Sequence, residues 1–230
     1  MGISQQIGSS SLSKPGVCTS STRPATPYEG QMIYETDTDK VFVWNASAWV
    51  VPNSPAQNPT GLELVTTATC SSGGTASGGV VTIGSAVSSV TVSSAFSTTY
   101  DNYKIILSGG TTNTSDATLS FRLGSTATGY YLAQSGVNYS GATASNTSSN
   151  NDAYWLYVGR CLTNGNNMNI DICAPFLTNL TYITGAVANL NTGRQFSGYL
   201  NNTTSYTAFT VQVDSATITG GTIRVYGYRQ

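Results

Sequence analysis

The residue types that could do chemistry are few in this sequence. It contains no histidine, which excludes a histidine general base, Ser-His-Asp and Cys-His nucleophile systems, and the common zinc sites. A pair of carboxylates that cleaves a glycosidic bond is the enzymatic alternative. Asp37 and Asp39 lie in a Thr-Asp-Thr-Asp run typical of a turn. The remaining aspartates stand alone or beside a turn signal: Asp101, Asp116, Asp152, Asp171 and Asp214. The sequence therefore predicts no catalytic residues and a protein that is not an enzyme.

The cysteines and acidic residues predict no metal or cofactor site. The four cysteines match no zinc spacing and lie far apart: Cys18, Cys70, Cys161 and Cys173. We expect them to be small buried hydrophobic residues rather than disulfides or metal ligands. The Asp37-Thr-Asp39 pattern lacks the spaced oxygen ligands and the later glutamate of a calcium loop.

A cluster of aromatic residues is the best candidate for a binding site. It surrounds the polar segment 140–152 (SGATASNTSSNND) and consists of Tyr130, Tyr131, Tyr139, Tyr154 and Trp155, with Tyr157 nearby. In one interpretation, these rings bind the apolar faces of sugars while Asn and Asp side chains bind the hydroxyl rims. In the other, the rings alternate into the core or a subunit interface, and the polar segment is an ordinary mobile loop. Both interpretations stay open at this stage.

The composition predicts an all-β fold that holds these residues. Only 8% of the residues are charged, against roughly 25% in an average soluble domain. Val, Ile, Thr and Tyr are plentiful and strong helix formers are scarce, which favours strands. Alternation is clear in the segments 117–123 and 222–228. About twelve short segments of this kind, separated by Gly and Asn, indicate an antiparallel β-sandwich, jelly-roll-like in form.

The pattern along the chain divides it into four parts. Residues 1–27 are polar and contain three prolines, and predict an extended arm. Residues 28–52 predict a β-hairpin module, residues 53–60 a stiff proline-rich linker, and residues 61–230 the β-sandwich.

The hairpin module is rich in aromatic residues for its size. It contains Tyr34, Phe42, Trp44 and Trp49. Because an isolated hairpin buries little surface, these rings must pack against the larger domain or against other subunits. We expect other subunits, so these four residues are the predicted oligomerisation site.

Charge and hydropathy exclude two classes of partner. The net charge is −1 and the nine basic residues are scattered, whereas nucleic-acid binding needs a concentrated positive surface. No apolar run approaches the ~20 residues that cross a bilayer, and the N-terminus lacks the pattern of a signal peptide. We therefore expect a chain that folds in the cytosol, with no nucleic-acid partner and no membrane insertion.

Part of the sequence resembles a known family. The segment KPGVCTSSTRPATPYEGQMIYETDTDKVFVWNASAWV (residues 14–50) resembles an N-terminal module that recurs in tail fibres and other virion structural proteins of tailed phages, particularly marine and cyanobacterial ones. The segments 95–109 and 220–230 are similar to the β-sandwich domain that often follows it. This resemblance implies a virion location, a homotrimer, and docking of residues 1–27 on another virion protein.

Two functions follow as expectations. In the first, the chain is a short tail fibre or adhesin subunit whose β-sandwich binds a host surface polysaccharide. In the second, it is a capsid decoration or head-fibre protein that stabilises or ornaments the head.

Overall fold

A computed structural model describes residues 15–52, 61–141 and 143–229. The predicted linker, residues 53–60, and the first 14 residues of the predicted arm lie outside the described residues. The chain divides into two compact units, residues 1–58 and 59–230. They are called unit 1 and unit 2 below.

Unit 1 is a small four-stranded sheet. Its strands are β1 (Gly16–Cys18), β2 (Met32–Glu35), β3 (Lys40–Trp44) and β4 (Trp49–Val50), in the order β1-β2-β3-β4. β1 runs parallel to β2, and the other pairs are antiparallel. The turn before β4 is closed by Asn45, whose side-chain oxygen accepts hydrogen bonds from the backbone N–H groups of Ser47 and Ala48.

In the described part of the predicted arm, residues 15–27, Gly16–Cys18 form β1 of this sheet and later residues contact β2 and the turn after it. Ser20 donates a backbone hydrogen bond to Oδ1 of Asp37 at 2.9 Å. Arg23 forms an ion pair with Glu35, whose side chain is completely buried. These contacts help to hold β1 beside β2, because they give partners to the carboxylates of Asp37, in the turn after β2, and of Glu35, in β2 itself.

The described residues of unit 2 form seventeen strands. Their bounds are β5 (Leu62–Leu64), β6 (Thr69–Ser72), β7 (Gly74–Ser77), β8 (Val80–Ile83), β9 (Ser89–Ser93), β10 (Asn102–Gly109), β11 (Thr111–Thr112), β12 (Ala117–Leu123), β13 (Tyr130–Asn138), β14 (Ala144–Asp152), β15 (Trp155–Leu162), β16 (Gly165–Cys173), β17 (Thr181–Ala188), β18 (Thr192–Leu200), β19 (Phe209–Val213), β20 (Ile218–Thr219) and β21 (Thr222–Tyr228).

The sheet of unit 2 changes direction at β16. The main path is β14-β13-β18-β17-β16-β15-β12-β19-β9-β6, and a branch runs from β16 through β10 to β21. Residues 165–168 of β16 pair with β15, whereas residues 170–173 of the same strand pair with β17. One edge of β16 thus serves two neighbours, which separates the strands into two halves around a common core. The all-β, mainly antiparallel, sandwich-like fold is confirmed.

Aromatic residues occupy the centre of this core. Trp155 is completely buried between Phe121 and Tyr130, with ring centroids 6.1 and 4.9 Å away. Its indole N–H donates to the backbone oxygen of Tyr199 at 3.3 Å, and the hydroxyl of Tyr130 accepts from the backbone N–H of Leu123 at 2.9 Å. Both polar groups are satisfied, so these rings are stable inside the protein.

The polar segment 140–152 is the main departure from the sequence pattern. Ala144–Asp152 forms the nine-residue strand β14, paired along its length with β13, so the interpretation as a mobile loop is wrong for these residues. Ser, Asn and Asp have low strand propensity, but pairing with a long neighbouring strand overrides that preference.

The cysteines differ in burial and form no disulfides. Cys161 is buried, Cys18 and Cys70 are half-buried, and Cys173 is exposed. The expected burial is therefore right for Cys161 and wrong for Cys173. Burial raises the pKa of the Cys161 thiol to about 12, which makes it unreactive. Among the described residues, no His, Cys, Asp and Glu cluster could hold a metal ion, and none forms a helix long and apolar enough to cross a membrane.

Candidate functional site

The structure separates the predicted sugar-binding residues into buried and surface positions. Tyr130 and Trp155 are completely buried in the core. Because burying a large aromatic side chain is worth about 2–3 kcal/mol, these two rings are packing residues and do not contact a surface ligand. For Tyr130 and Trp155 the interpretation as core residues applies, and the interpretation as sugar-binding residues does not.

The other three predicted residues reach the surface at separate places. Tyr131 is half-buried on β13, and Tyr139, just beyond the same strand, is 63% exposed. The ring of Tyr154 is covered on one side by the guanidinium of Arg122, which lies 4.9 Å from the ring centroid. Only Tyr131 and Tyr139 border the same side of the sheet, and they lie near opposite ends of β13.

Tyr131 forms an aromatic row with two tyrosines that the sequence analysis missed. It pairs in register with Tyr199 on β18, which pairs with Tyr182 on β17. The rings of Tyr131 and Tyr199 are stacked, with centroids 4.8 Å apart and planes within 3° of parallel. Tyr182 is 50% exposed and Tyr199 36%. Three neighbouring strands therefore present aromatic side chains at one level, and a depression of about 400 Å³ lies among them.

This row is one end of a continuous surface, called the outer face below. It consists of the side chains of β13, β18, β17, β16 and β10 that point away from the core. Three further depressions of about 350, 410 and 590 Å³ share residues with one another along it. Their linings are dominated by small and uncharged side chains: Ala133, Ser135, Thr184, Ala186, Gln195 and Ser197.

The outer face carries an ion pair between β10 and β16, and Arg194 lines the depression of about 590 Å³. Lys104 and Asp171 are directly opposite each other on β10 and β16, and Nζ lies 3.1 Å from Oδ2. Asp171 also accepts a hydrogen bond from the hydroxyl of Tyr228. Burial and this hydrogen bond raise the pKa of Tyr228 to about 12, so the phenol stays neutral at physiological pH. At this ion pair and at the tyrosine row, a ligand would therefore bind mainly through apolar contact and neutral hydrogen bonds.

The predicted oligomerisation residues lie on two faces of unit 1. Phe42, Trp44 and Trp49 are on one face, where Trp44 and Trp49 pair across β3 and β4 with ring centroids 5.6 Å apart. Arg23 lies over the ring of Phe42, 4.8 Å from its centroid. Tyr34 is on the opposite face and donates a hydrogen bond to Asp39 at 2.6 Å. All four rings are half-buried in the single chain, so each keeps some surface for a neighbour.

Several acidic residues are engaged with cations. Asp116 pairs with Arg160 at 3.2 Å, and Glu63 pairs with Arg229. Glu63 also accepts a hydrogen bond from the hydroxyl of Tyr100. The pKa of Glu63 is lowered, first by the hydrogen bond from Arg229 and then by that from Tyr100. These carboxylates serve as ionised partners that hold strands and loops together.

No protein-family model matches this chain, and no curated protein sequence or solved structure matches it significantly. The functional interpretation therefore depends on the geometry of the outer face and on the resemblance in sequence.

Proposed function

We propose that the protein is a structural subunit of a tailed-phage particle, a short tail fibre or adhesin, whose outer face binds a glycan of the host surface. The observation that carries the binding role is the row formed by Tyr131, Tyr199 and Tyr182. Exposed aromatic rings beside small polar side chains suit a ligand with both apolar and hydroxylated surfaces. The virion assignment rests on the resemblance of residues 14–50 to tailed-phage modules.

The charge of the outer face favours a neutral sugar. Lys104 and Asp171 neutralise each other, and the tyrosine row carries no cation. An acidic polysaccharide would need an unpaired positive surface to gain from its charge. We therefore propose that the ligand is a neutral glycan with several sugar units, long enough to contact more than one of the connected depressions.

Binding of the purified full-length protein to neutral host-surface polysaccharide tests this proposal. Tyr199→Ala removes one ring of the stacked pair, and we expect a loss of affinity of about two- to tenfold, since an aromatic contact is worth about 0.5–1.5 kcal/mol. The matched control is Tyr157→Ala, because Tyr157 has nearly the same exposure, 37%, but does not line the depressions of the outer face. Equal losses in both variants, or no loss in Tyr199→Ala, would contradict the proposed site.

A further inference from the structure

The longest free strand edge of the described structure belongs to β14. This strand is the last of the main path and pairs only with β13 among the described strands. Alternate residues of this nine-residue strand therefore direct backbone N–H and C=O groups to an edge where no described strand satisfies them. Such an edge is a template for pairing with another strand.

The register identifies which backbone groups are free. The backbone N–H of Asn138 donates to the oxygen of Thr143 at 3.0 Å, so alternate pairs from this point are the hydrogen-bonded ones. Ser145 and Thr147 thus direct their backbone groups to β13. Asn146 and Ser148 direct theirs to the open edge, and their side chains are exposed.

Features that normally protect a free edge are missing from β14. It contains no lysine and no proline, and the segment 144–151 has no charge, Asp152 being the single charged residue at its end. Edge strands usually avoid association by such residues or by being very short. The irregularity near Asn151, which has a φ of 59°, affects only the last residues of the strand.

The length of the edge indicates what covers it. The other described strands that have only one neighbouring strand are β1, β4, β5, β6, β7, β11 and β20, and these contain two to four residues. None offers a partner of matching length. A second β14 does, and because residues 144–151 are uncharged, two copies meet without like-charge repulsion.

We propose that two copies of this chain join through β14, with the two edge strands antiparallel around a twofold axis. The backbone groups of Asn146 and Ser148 would then be satisfied by those of the partner strand. An isologous contact of this kind closes on itself, so it gives pairs and not fibres. It joins two outer faces into one continuous sheet, which brings two tyrosine rows into a single particle and adds avidity for a repeating ligand.

The contact uses the open backbone edge of β14, whereas the proposed glycan site depends on the rings of the tyrosine row, beside which Ser149 of β14 also lies. It uses residues of unit 2, whereas the threefold prediction concerns rings of unit 1. A particle held together by both the β14 contact and the threefold contact contains an even number of chains, because the β14 contact joins chains in pairs. Failure of the β14 contact would change the mass of the particle and leave the affinity of each chain for a sugar unchanged.

The test is the mass in solution of the full-length protein and its Ser148→Pro variant. Proline removes the free N–H of residue 148 but no hydrogen bond to β13. We expect the wild-type mass to be an even multiple of the 24.0-kDa chain and the variant mass to be half of it. Ser148→Ala is the matched control, because it removes the hydroxyl and keeps the N–H, and it should assemble like the wild type.

A second variant keeps the test decisive if proline disturbs folding. Asn146→Lys preserves every backbone group but places like charges close together across the twofold axis. We expect it to weaken association at least tenfold at low salt, with recovery as salt is added. A wild-type mass that is an odd multiple of the chain, or association unchanged in both Ser148→Pro and Asn146→Lys, would overturn the proposal.

Discussion

The side chain of Asp171, on β16, contacts side chains from the two strands that follow it in the sheet, β10 and β21. Its carboxylate accepts hydrogen bonds from the ammonium of Lys104 on β10, at 3.1 and 3.2 Å, and from the hydroxyl of Tyr228 on β21. Both donors must come to one side of the sheet for this to occur, which the pairing of β16 with β10 and of β10 with β21 ensures. Side chains so restrained lose little further entropy when a ligand binds.

The titration of Tyr228 follows from this arrangement. Its pKa is about 12 in the folded protein, against about 10 for a free tyrosine. The corresponding stability is fully present below pH 10 and is lost as the pH rises towards 12. We predict that the difference between the ultraviolet titrations of wild type and Tyr228→Phe shows one phenol ionising near pH 12. Asp171→Asn should lower that pKa, and a difference centred near pH 10 in the wild type would contradict the contact.

The lowered pKa of Glu35 predicts that unit 1 loses stability in acid. The pKa of Glu35 is lowered mainly by the hydrogen bond from Arg23 and further by that from Thr38. A lowered pKa stabilises the fold above the unfolded value of about 4.3, and this stability is lost as the pH falls through the folded value. We predict that the protection factors of the backbone amides in residues 31–44, which relate each exchange rate to its intrinsic rate at the same pH, fall on going from pH 5 to pH 3. Glu35→Gln should already exchange faster at pH 7 and respond less to acid; an identical pH response in both proteins would refute this role.

At the scale of elements, two pairs of glycines form the corner where β10 and β21 leave the main sheet for β11 and β20. Gly110 has a φ of 73°, and a Cβ at this position would lie 2.2 Å from the backbone oxygen of Gly220. Gly221, with a φ of 90°, approaches the oxygen of Gly109 in the same way. The two chain segments cross so closely that only glycine fits.

The close crossing at Gly110 predicts a larger loss of stability there than at Gly78, which also has a positive φ but no close neighbour. Gly110→Ala introduces both a strained φ, at about 1–2 kcal/mol, and a backbone clash, so we expect a loss of more than 2 kcal/mol, on the order of 3 kcal/mol, in the free energy of unfolding. Gly78→Ala meets only the strained φ of 54°, because nothing lies within 4 Å of the added carbon. It should cost about 1 kcal/mol. Urea unfolding measures both, and equal losses would argue against the close crossing.

Some strands of unit 2 could be predicted from the sequence and others could not. Strands with alternating apolar residues, such as Thr222–Tyr228, could be predicted because periodicity alone defines them. β14 could not, since its side chains carry no apolar period and the strand exists through pairing with β13. The tyrosine row was missed for a related reason. Tyr182 and Tyr199 are distant from Tyr131 in the sequence, and only the register of β13, β18 and β17 brings the three side by side.

For the whole molecule, the two expected functions differ in what the particle would lose without this protein. A glycan-binding adhesin is needed at the first contact with the host. We therefore predict that particles lacking it, or carrying Tyr199→Ala, adsorb poorly to host cells but keep their resistance to heat. A decoration protein would give the reverse, normal adsorption with reduced resistance to heat or low salt, and that result would reject the adhesin proposal.

The half-buried aromatic rings of unit 1 predict how many chains associate. Trp44 and Trp49 form an edge-to-face pair that remains partly exposed in the single chain, and covering such rings in a neighbour gains roughly 25 cal/mol for each Å² of apolar surface. We predict that the Ser148→Pro protein, which lacks the β14 contact, is a trimer, and that adding Trp44→Ala and Trp49→Ala makes it monomeric. Tyr28→Ala is the control, because Tyr28 is also in unit 1 but is 70% exposed and was not assigned to the contact. Sedimentation equilibrium measures the mass of each of these proteins. A monomeric Ser148→Pro protein at micromolar concentration would remove the physical basis of the threefold assembly.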